Sequence, residues 1–371
     1  MRDVSDADVQ VLVTEQGNGA GGDTYTLRFL GRGLLAGRTD EVAVPFGPNA
    51  TDDDERRGLA QAMTASLLGY AARAGRLSGL TLTVGVPTRT AGAAPDERDP
   101  WNRWVFTVRG GGMLQGDENY LSRDASLRGS AGRTTGRWKA ELSARASETL
   151  NLYQVNDSTR IRSSNVSTGA SLLSARAMGP HTTLGVQASV LSSKFDNTDL
   201  AVRAAVGAEA NLFPYTEATA RRLTARYEVA VQHNDYRKET LYERTREWLP
   251  EHTLDVTAAF QQPWGTLEAA VIGAQFLNHL DQYSLSSLVS MDVRLARGLS
   301  VNFGGIVNLT RNQRAIELGP ASDADVLTRR RALASGYDFL MGGGVRYTFG
   351  SKLSGAVNPR YQTSHNLSIY Y

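Results

Sequence analysis

Cysteine is absent from the 371 residues, which excludes disulfides and thiolate metal sites. Any run of ~18 apolar residues is also missing, so no helix of this chain can cross a bilayer. Neither charge dominates: Lys+Arg 40 against Asp+Glu 38 leaves no basic surplus for a nucleic-acid partner. The opening MRDVSDADVQ lacks the apolar core of a signal peptide, so an export signal is expected either to lie outside this sequence or not to exist. The five histidines, His181, His233, His252, His279 and His365, include no two at ligand spacing, so no metal or other cofactor is expected. A mean hydropathy of −0.32 reads as water-soluble. Strands of a membrane barrel, however, carry a polar residue at every second position and average out as hydrophilic. None of these gaps excludes such a barrel.

Residues 1–95 read as a small α/β unit. Val9–Thr14 and Tyr25–Leu30 look like strands around the Gly-rich turn GNGAGG, and Glu41–Phe46 is a third. TDDDERRGLAQAMTASLLGYAARAG reads as a helix. Thr51 or Asp52 caps it, the acids of its first turn suit the positive end of its dipole, and Gly75 ends it. Leu59, Met63, Leu67 and Tyr70 form its apolar stripe. Leu80–Val86 is a last strand, and PTRTAGAAPDERDP is a linker. GNGAGG is no phosphate loop: it lacks the Lys-Ser/Thr ending and leads into a strand.

From Trp101 onward one alternating run follows another. Trp104–Gly112, Ala125–Ala131, Trp138–Ser147, Val166–Ala177, Leu184–Val190 and Val202–Leu212 make six. Leu223–Val231, Leu254–Phe260, Leu267–Leu277, Val289–Leu295, Leu299–Leu309 and Tyr337–Ser351 make six more, with Ile272 and Phe276 out of phase in the third of these. In the last run Tyr337, Phe339, Met341, Val345, Tyr347 and Phe349 share one face, with Gly342 and Gly344 opposite. Apolar alternation tipped by aromatic residues is the pattern of transmembrane β-strands. Short connections such as RTTGR, MGPH, QPWG and ARG alternate with longer ones such as LQGDENYLSRD and HNDYRKETLYERTREWLPEH. Short periplasmic turns and long outer loops would give that rhythm.

The fold expected is therefore mainly β: an antiparallel transmembrane β-barrel of about twelve strands, preceded by a small α/β domain. Residues 1–95 would be periplasmic, 96–353 the outer-membrane barrel, and 354–371 a C-terminal tail or an extra strand.

Several strings resemble a known group. VQVLVTEQGNGAGGDTYTLRFLGRG, DDERRGL, DPWNRWVF, NLFPYTEATARRL, QPWGTLEA, DVRLARGLSVNFGG, LTRRRALASGYDF and the pair YTFGS and VNPRY resemble uncharacterised bacterial outer-membrane proteins labelled with the salt-stress-induced outer-membrane protein family. The resemblance covers most of the chain. It implies location and architecture, and it carries over no catalytic residue.

Alternation puts Arg109, Arg128, Lys139, Glu141, Arg145, Arg203, Glu209, Arg226, Glu228, Asp255, Glu268, Asp292, Arg294 and Arg346 on the inward face. The plainer expectation is an internal network of ion pairs and hydrogen bonds that largely fills the lumen, since buried charges need partners. The sharper one is a path for small solutes, since charged rings set pore selectivity. Arg329, Arg330 and Arg331 sit in the longest outer loop and are candidates for contact with anionic lipopolysaccharide; a solvated loop helix is the plainer account. His233 continues an outward face toward the outer rim, but QHNDY offers no nearby serine for a lipase, and no enzyme activity is expected. Two functions stay open. One is a structural or passively transporting outer-membrane protein. The other is a docking module whose α/β domain binds a periplasmic or envelope partner, for instance by adding a strand to an open edge.

Overall fold

A computed structural model describes residues 7–19, 21–75, 99–156, 159–296, 298–319 and 336–350. Strands β1 (Val9–Gly17), β2 (Asp23–Gly31) and β3 (Thr39–Pro45) form a three-stranded antiparallel sheet. Helix α1 (Asp52–Arg73) lies across one face of it. Thr51 is the N-cap: its hydroxyl accepts from the Asp54 amide, and the Asp54 carboxylate accepts from the Thr51 amide in return. The Thr51 hydroxyl also donates to the Asp54 carboxylate at 2.7 Å, and that bond first, with the one from the Thr51 amide, holds the Asp54 carboxyl below its ordinary value.

The core of this unit is Leu27, Phe29 and Tyr70, with Val9, Val11, Val13, Val42, Leu59, Ala62 and Met63 packed around it. Tyr70 stacks on Phe29 and donates its hydroxyl to the Phe29 carbonyl. Leu67, expected in the buried stripe, is instead exposed. The stripe runs Leu59, Ala62, Met63, Tyr70. The expected strand Leu80–Val86 lies outside the described residues, as do most of the linker and the tail 354–371.

The rest is one meander. β4 (Trp104–Gly116), β5 (Tyr120–Thr134), β6 (Trp138–Asn156), β7 (Thr159–Ala177), β8 (Thr182–Ser193) and β9 (Thr198–Asn211) are followed by β10 (Arg221–Tyr236), β11 (Arg246–Gln262), β12 (Gly265–Phe276), β13 (His279–Ala296), β14 (Leu299–Thr310) and β15 (Tyr337–Tyr347). Each strand pairs antiparallel with its sequence neighbour, giving a 12-stranded sheet in chain order. The sheet is not closed: β4 and β15 are its edges, and among the described residues no ladder joins them.

All twelve expected strands are present, but most run further than their apolar alternation. Much of LQGDENYLSRD is strand, leaving only residues 117–119 as the connection. NLYQVNDSTRIRSS is likewise mostly ladder, with Leu152 opposite Arg162 and Tyr153 opposite Ile161. The alternation of short and long connections is thus largely an overhang of paired strand at one end of the sheet. Beyond the apolar belt the outward face carries groups such as Arg123 and Glu148, ion-paired at 3.0 Å, so backbone pairing continues where apolar periodicity has stopped.

The small unit rests against the end of the sheet opposite that overhang. The face of its sheet away from α1 carries Leu12, Thr14, Thr26, Arg28 and Glu41, which meet Thr219, Ala220 and Gln261 across a shallow cleft. Gln261 Nε2 donates to the Val13 carbonyl at 2.7 Å.

Candidate functional site

Register divides the large sheet into two faces. Val186, Val206 and Val229 lie side by side on β8, β9 and β10, and Leu309, Tyr337, Val307 and Phe339 continue that face at the far edge. All are apolar, and Val206 and Phe339 are about 60% exposed. The other face is the covered one at mid-sheet, where Ala205, Ala230 and Glu228 are buried. All fourteen residues assigned inward by alternation fall on this polar face, as the pairings Arg109–Arg128–Arg145, Glu209–Arg226–Asp255, Glu268–Ser290 and Asp292–Asn302 require.

The glycines of β15 divide between the two faces. A Cβ on Gly343 would stand 3.3 Å from the Phe303 ring and 3.0 Å from the Asn302 carbonyl, so its bareness makes room for that ring. A Cβ on Gly342 would meet nothing within 4 Å, whereas one on Gly344 would stand 3.1 Å from Asn302 Oδ1, so of the two inward glycines only Gly344 makes room for an inward side chain.

Glu228 is the centre of an ion-pair cluster. Arg226 approaches it at 3.3 Å and Arg203 at 3.7 Å, and Gln187 donates to it at 3.0 Å. Arg226 also binds Asp255 at 2.7 Å, and Arg203 binds Glu251 at 2.9 Å. Glu251 sits two strands from Arg203, and Arg203 reaches it past the small Ala230, which is paired with Glu251. Sequence reasoning did not single out Glu251 or Gln187, because parity places a charge on a face but does not say which partner it reaches.

Gly207 makes the cluster possible. It lies opposite Glu228, and a Cβ there would stand 2.6 Å from Glu228 Cγ and 2.8 Å from the Tyr227 carbonyl. Gly207→Val should therefore push Glu228 away from both arginines and lower the unfolding free energy of the folded sheet by about 1–3 kcal/mol, the usual range for overpacking. Denaturant titration of the refolded protein reads this directly; an unchanged midpoint would mean that the cluster is not confined there.

A second cluster lies at the overhanging end. Arg314, from the segment after β14, binds Glu247 at 2.5 and 2.9 Å and Gln282 at 3.0 Å. Tyr236 donates to Glu247 at 2.6 Å, and Asn234 donates to Tyr236. Arg314 also covers the Tyr242 ring at 4.5 Å. The same segment forms a bridge between Thr240 and Glu317, and Lys238 pairs with Glu317 at 2.8 Å. Residues 311–319 thus fold across onto the β10–β11 connection. Nothing in the sequence pattern singled out this cluster, since Glu247 and Arg314 are 67 residues apart.

The remaining inward charges divide. Lys139 and Glu141 are 3.8 Å apart, and Glu209 accepts the Tyr215 hydroxyl. Arg109, Arg128, Arg145, Glu268, Asp292, Arg294 and Arg346 form no ion pair among the described residues, so the expected network covers only part of the face. Arg329, Arg330 and Arg331 lie outside the described residues.

On the apolar face, the His233 and Trp248 rings lie 4.4 Å apart at a tilt of 38°, and His233 faces Asp235 at 3.5 Å. Tyr227, His252 and Gln275 form a hydrogen-bonded chain there, at 3.1 and 3.0 Å, that satisfies polar groups on an otherwise apolar surface. Among the described residues no group of three His, Cys, Asp or Glu converges as a metal site would require.

No family model matches the chain, and no curated protein does. Solved structures with a related shape include the NanC porin, 10% identical with a TM-score of 0.31, covering 65% of this chain and 99% of the porin. Another is the translocator domain of the autotransporter NalP from Neisseria meningitidis, 12% identical with a TM-score of 0.26, covering 78% of this chain and 98% of that domain. Both scores are low, and the architecture stands on the chain's own ladder.

Proposed function

We propose that the chain is an integral β-barrel protein of a bacterial outer membrane, with a structural or passive small-solute transport role and no catalytic activity. One observation carries this: one face of the sheet is predominantly apolar from β4 to β15, with charged residues mainly on the other. Water-soluble monomers rarely expose apolar patches beyond about 600 Å², whereas a bilayer requires such a belt. Pairing of β15 with β4 would close the sheet and remove both edges, as membrane strands must. The ion-pair cluster around Glu228 and the Arg314 segment then fill much of the interior, which supports a narrow barrel rather than a wide channel.

In this reading the α/β unit is periplasmic, because it rests on the end opposite the overhanging strands and residues 311–319. A second role, docking of a periplasmic or envelope partner, is supported by the edges of its small sheet: among the described residues β1 and β3 each pair on one side only.

The orientation is testable in a chain without cysteine. Single cysteines at Asn119, Thr159 and Arg244 should react with an impermeant thiol reagent on intact cells, whereas those at Gly136, Gly179, Gly265 and Gly298 should not. Labelling of Gly298→Cys without labelling of Arg244→Cys would invert the topology, and labelling of neither set would remove the protein from the outer membrane.

A further inference from the structure

Three arginines stand in register on the first strands of the sheet. Arg109 of β4 is directly opposite Arg128 of β5, and Arg128 is directly opposite Arg145 of β6. All three are exposed on the polar face, and none has a carboxylate partner among the described residues. Neighbouring strands are about 4.8 Å apart, so the row spans about 10 Å.

Like charges directly opposite one another destabilise a sheet. Folding alone therefore does not account for the row, and the opposite wall shows the contrast: Arg203 and Arg226 face three carboxylates there. The surroundings of the row are uncharged hydrogen-bonding groups. On one side lie Ser126 and Ser147, on the other Thr107, Ser130 and Ser143. The first acids on these strands, Asp124 and Glu141, are four residues away, roughly 13 Å along the strand. Both are engaged, by Thr149 at 2.6 Å and by Lys139. Beyond Arg145 stands Gly169, where a Cβ would lie 3.6 Å from Arg145 Nε, so the wall there is bare backbone.

We infer that Arg109, Arg128 and Arg145 form a binding site for small polyanions, molecules carrying two or more phosphate or carboxylate groups close enough together for adjacent arginines of the row to converge on them. Guanidinium groups donate in a planar fork that matches both anions, and they stay charged at any physiological pH. A bound polyanion would relieve the repulsion within the row. The inference rests on the barrel reading above and deepens it: the solutes admitted by this interior would be anionic ones.

Pyrophosphate is the probe, titrated into the full-length protein in detergent free of lipopolysaccharide, with folding checked by heat-modifiable migration. That check separates failure of the barrel from failure of the site. Saturable binding is expected by calorimetry, together with a rise in the unfolding temperature. Arg128→Gln should weaken binding at least tenfold and abolish the rise, without lowering the unfolding temperature of the anion-free protein. Arg145→Gln serves as the second variant should Arg128→Gln not fold. Arg294→Gln removes the same charge from the same face on β13 and should change binding by less than twofold. Equal losses in Arg294→Gln and Arg128→Gln would overturn the site in favour of diffuse charge. Absence of saturable pyrophosphate binding by the folded wild type would overturn it too, including where added lipopolysaccharide binds, since the phosphate would then be a lipid's.

Discussion

Arg314→Ala is expected to destabilise the folded protein by about 3–5 kcal/mol, the usual consequence of stripping one partner from a buried ion pair. Both groups are nearly covered, with side chains 6% and 10% exposed. Without the guanidinium, Glu247 keeps only the Tyr236 hydroxyl, Gln282 loses its donor, and the Tyr242 face loses its cation. Residues 311–319 would also lose their main anchor over the polar face. Two measurements follow. The urea midpoint of the vesicle-embedded protein should fall for Arg314→Ala and for Glu247→Ala, and the double variant should recover part of the loss, because it leaves no orphan charge. Planar-bilayer recordings should show small, noisy conductance for the wild type and larger steps for Arg314→Ala. Identical midpoints for wild type and both single variants would mean that the pair is solvated and anchors nothing.

The strands were legible because one face of each must be apolar, and period-two alternation reports that directly. Trp104, Phe106 and Val108 announce β4 without ambiguity. The same signal is silent where both faces are polar, which is why the paired stretch around Leu152 and Arg162 reads as loop. Ile272 is the reverse case: it is apolar but lies on the polar face between Asp255 and Ser286, so it breaks the alternation of a strand that is nonetheless regular.

The site was legible in part. Parity assigned Arg203, Arg226, Glu228 and Asp255 to one face, and register brings them together. Parity could not show that Arg109, Arg128 and Arg145 share one row while Asp292 and Arg294 stand alone, since this depends on the offset of each hairpin. Nor could it find Glu247 with Arg314, whose meeting depends on where a long connection folds. Arg145 illustrates the gap. Parity groups it with the inward charges expected to be paired, yet no carboxylate reaches it among the described residues. Glu228, in the same expected set, is paired with Arg203 and Arg226.

Val206→Arg tests the apolar face itself. Val206 sits midway along β9, flanked by Val186 and Val229 on the adjoining strands, with Ala204 and Ala208 before and after it on the same face. No acid on that face is near enough to receive a guanidinium, and the shortest path to water runs along half the strand. If the face meets hydrocarbon, an arginine at this depth costs about 2–4 kcal/mol. The proper control adds the same side chain to the other face. Ser290→Arg places it directly opposite Glu268, which lacks an ion-pair partner among the described residues, so its effect should stay within about 1 kcal/mol, the range of a solvated pair. Urea titrations of both variants in lipid vesicles compare the two. A water-soluble sheet would invert the ranking, because an arginine on a solvated surface is harmless and improves solubility. Equal midpoints for Val206→Arg and wild type would therefore count against the bilayer, however regular the alternation that suggested it.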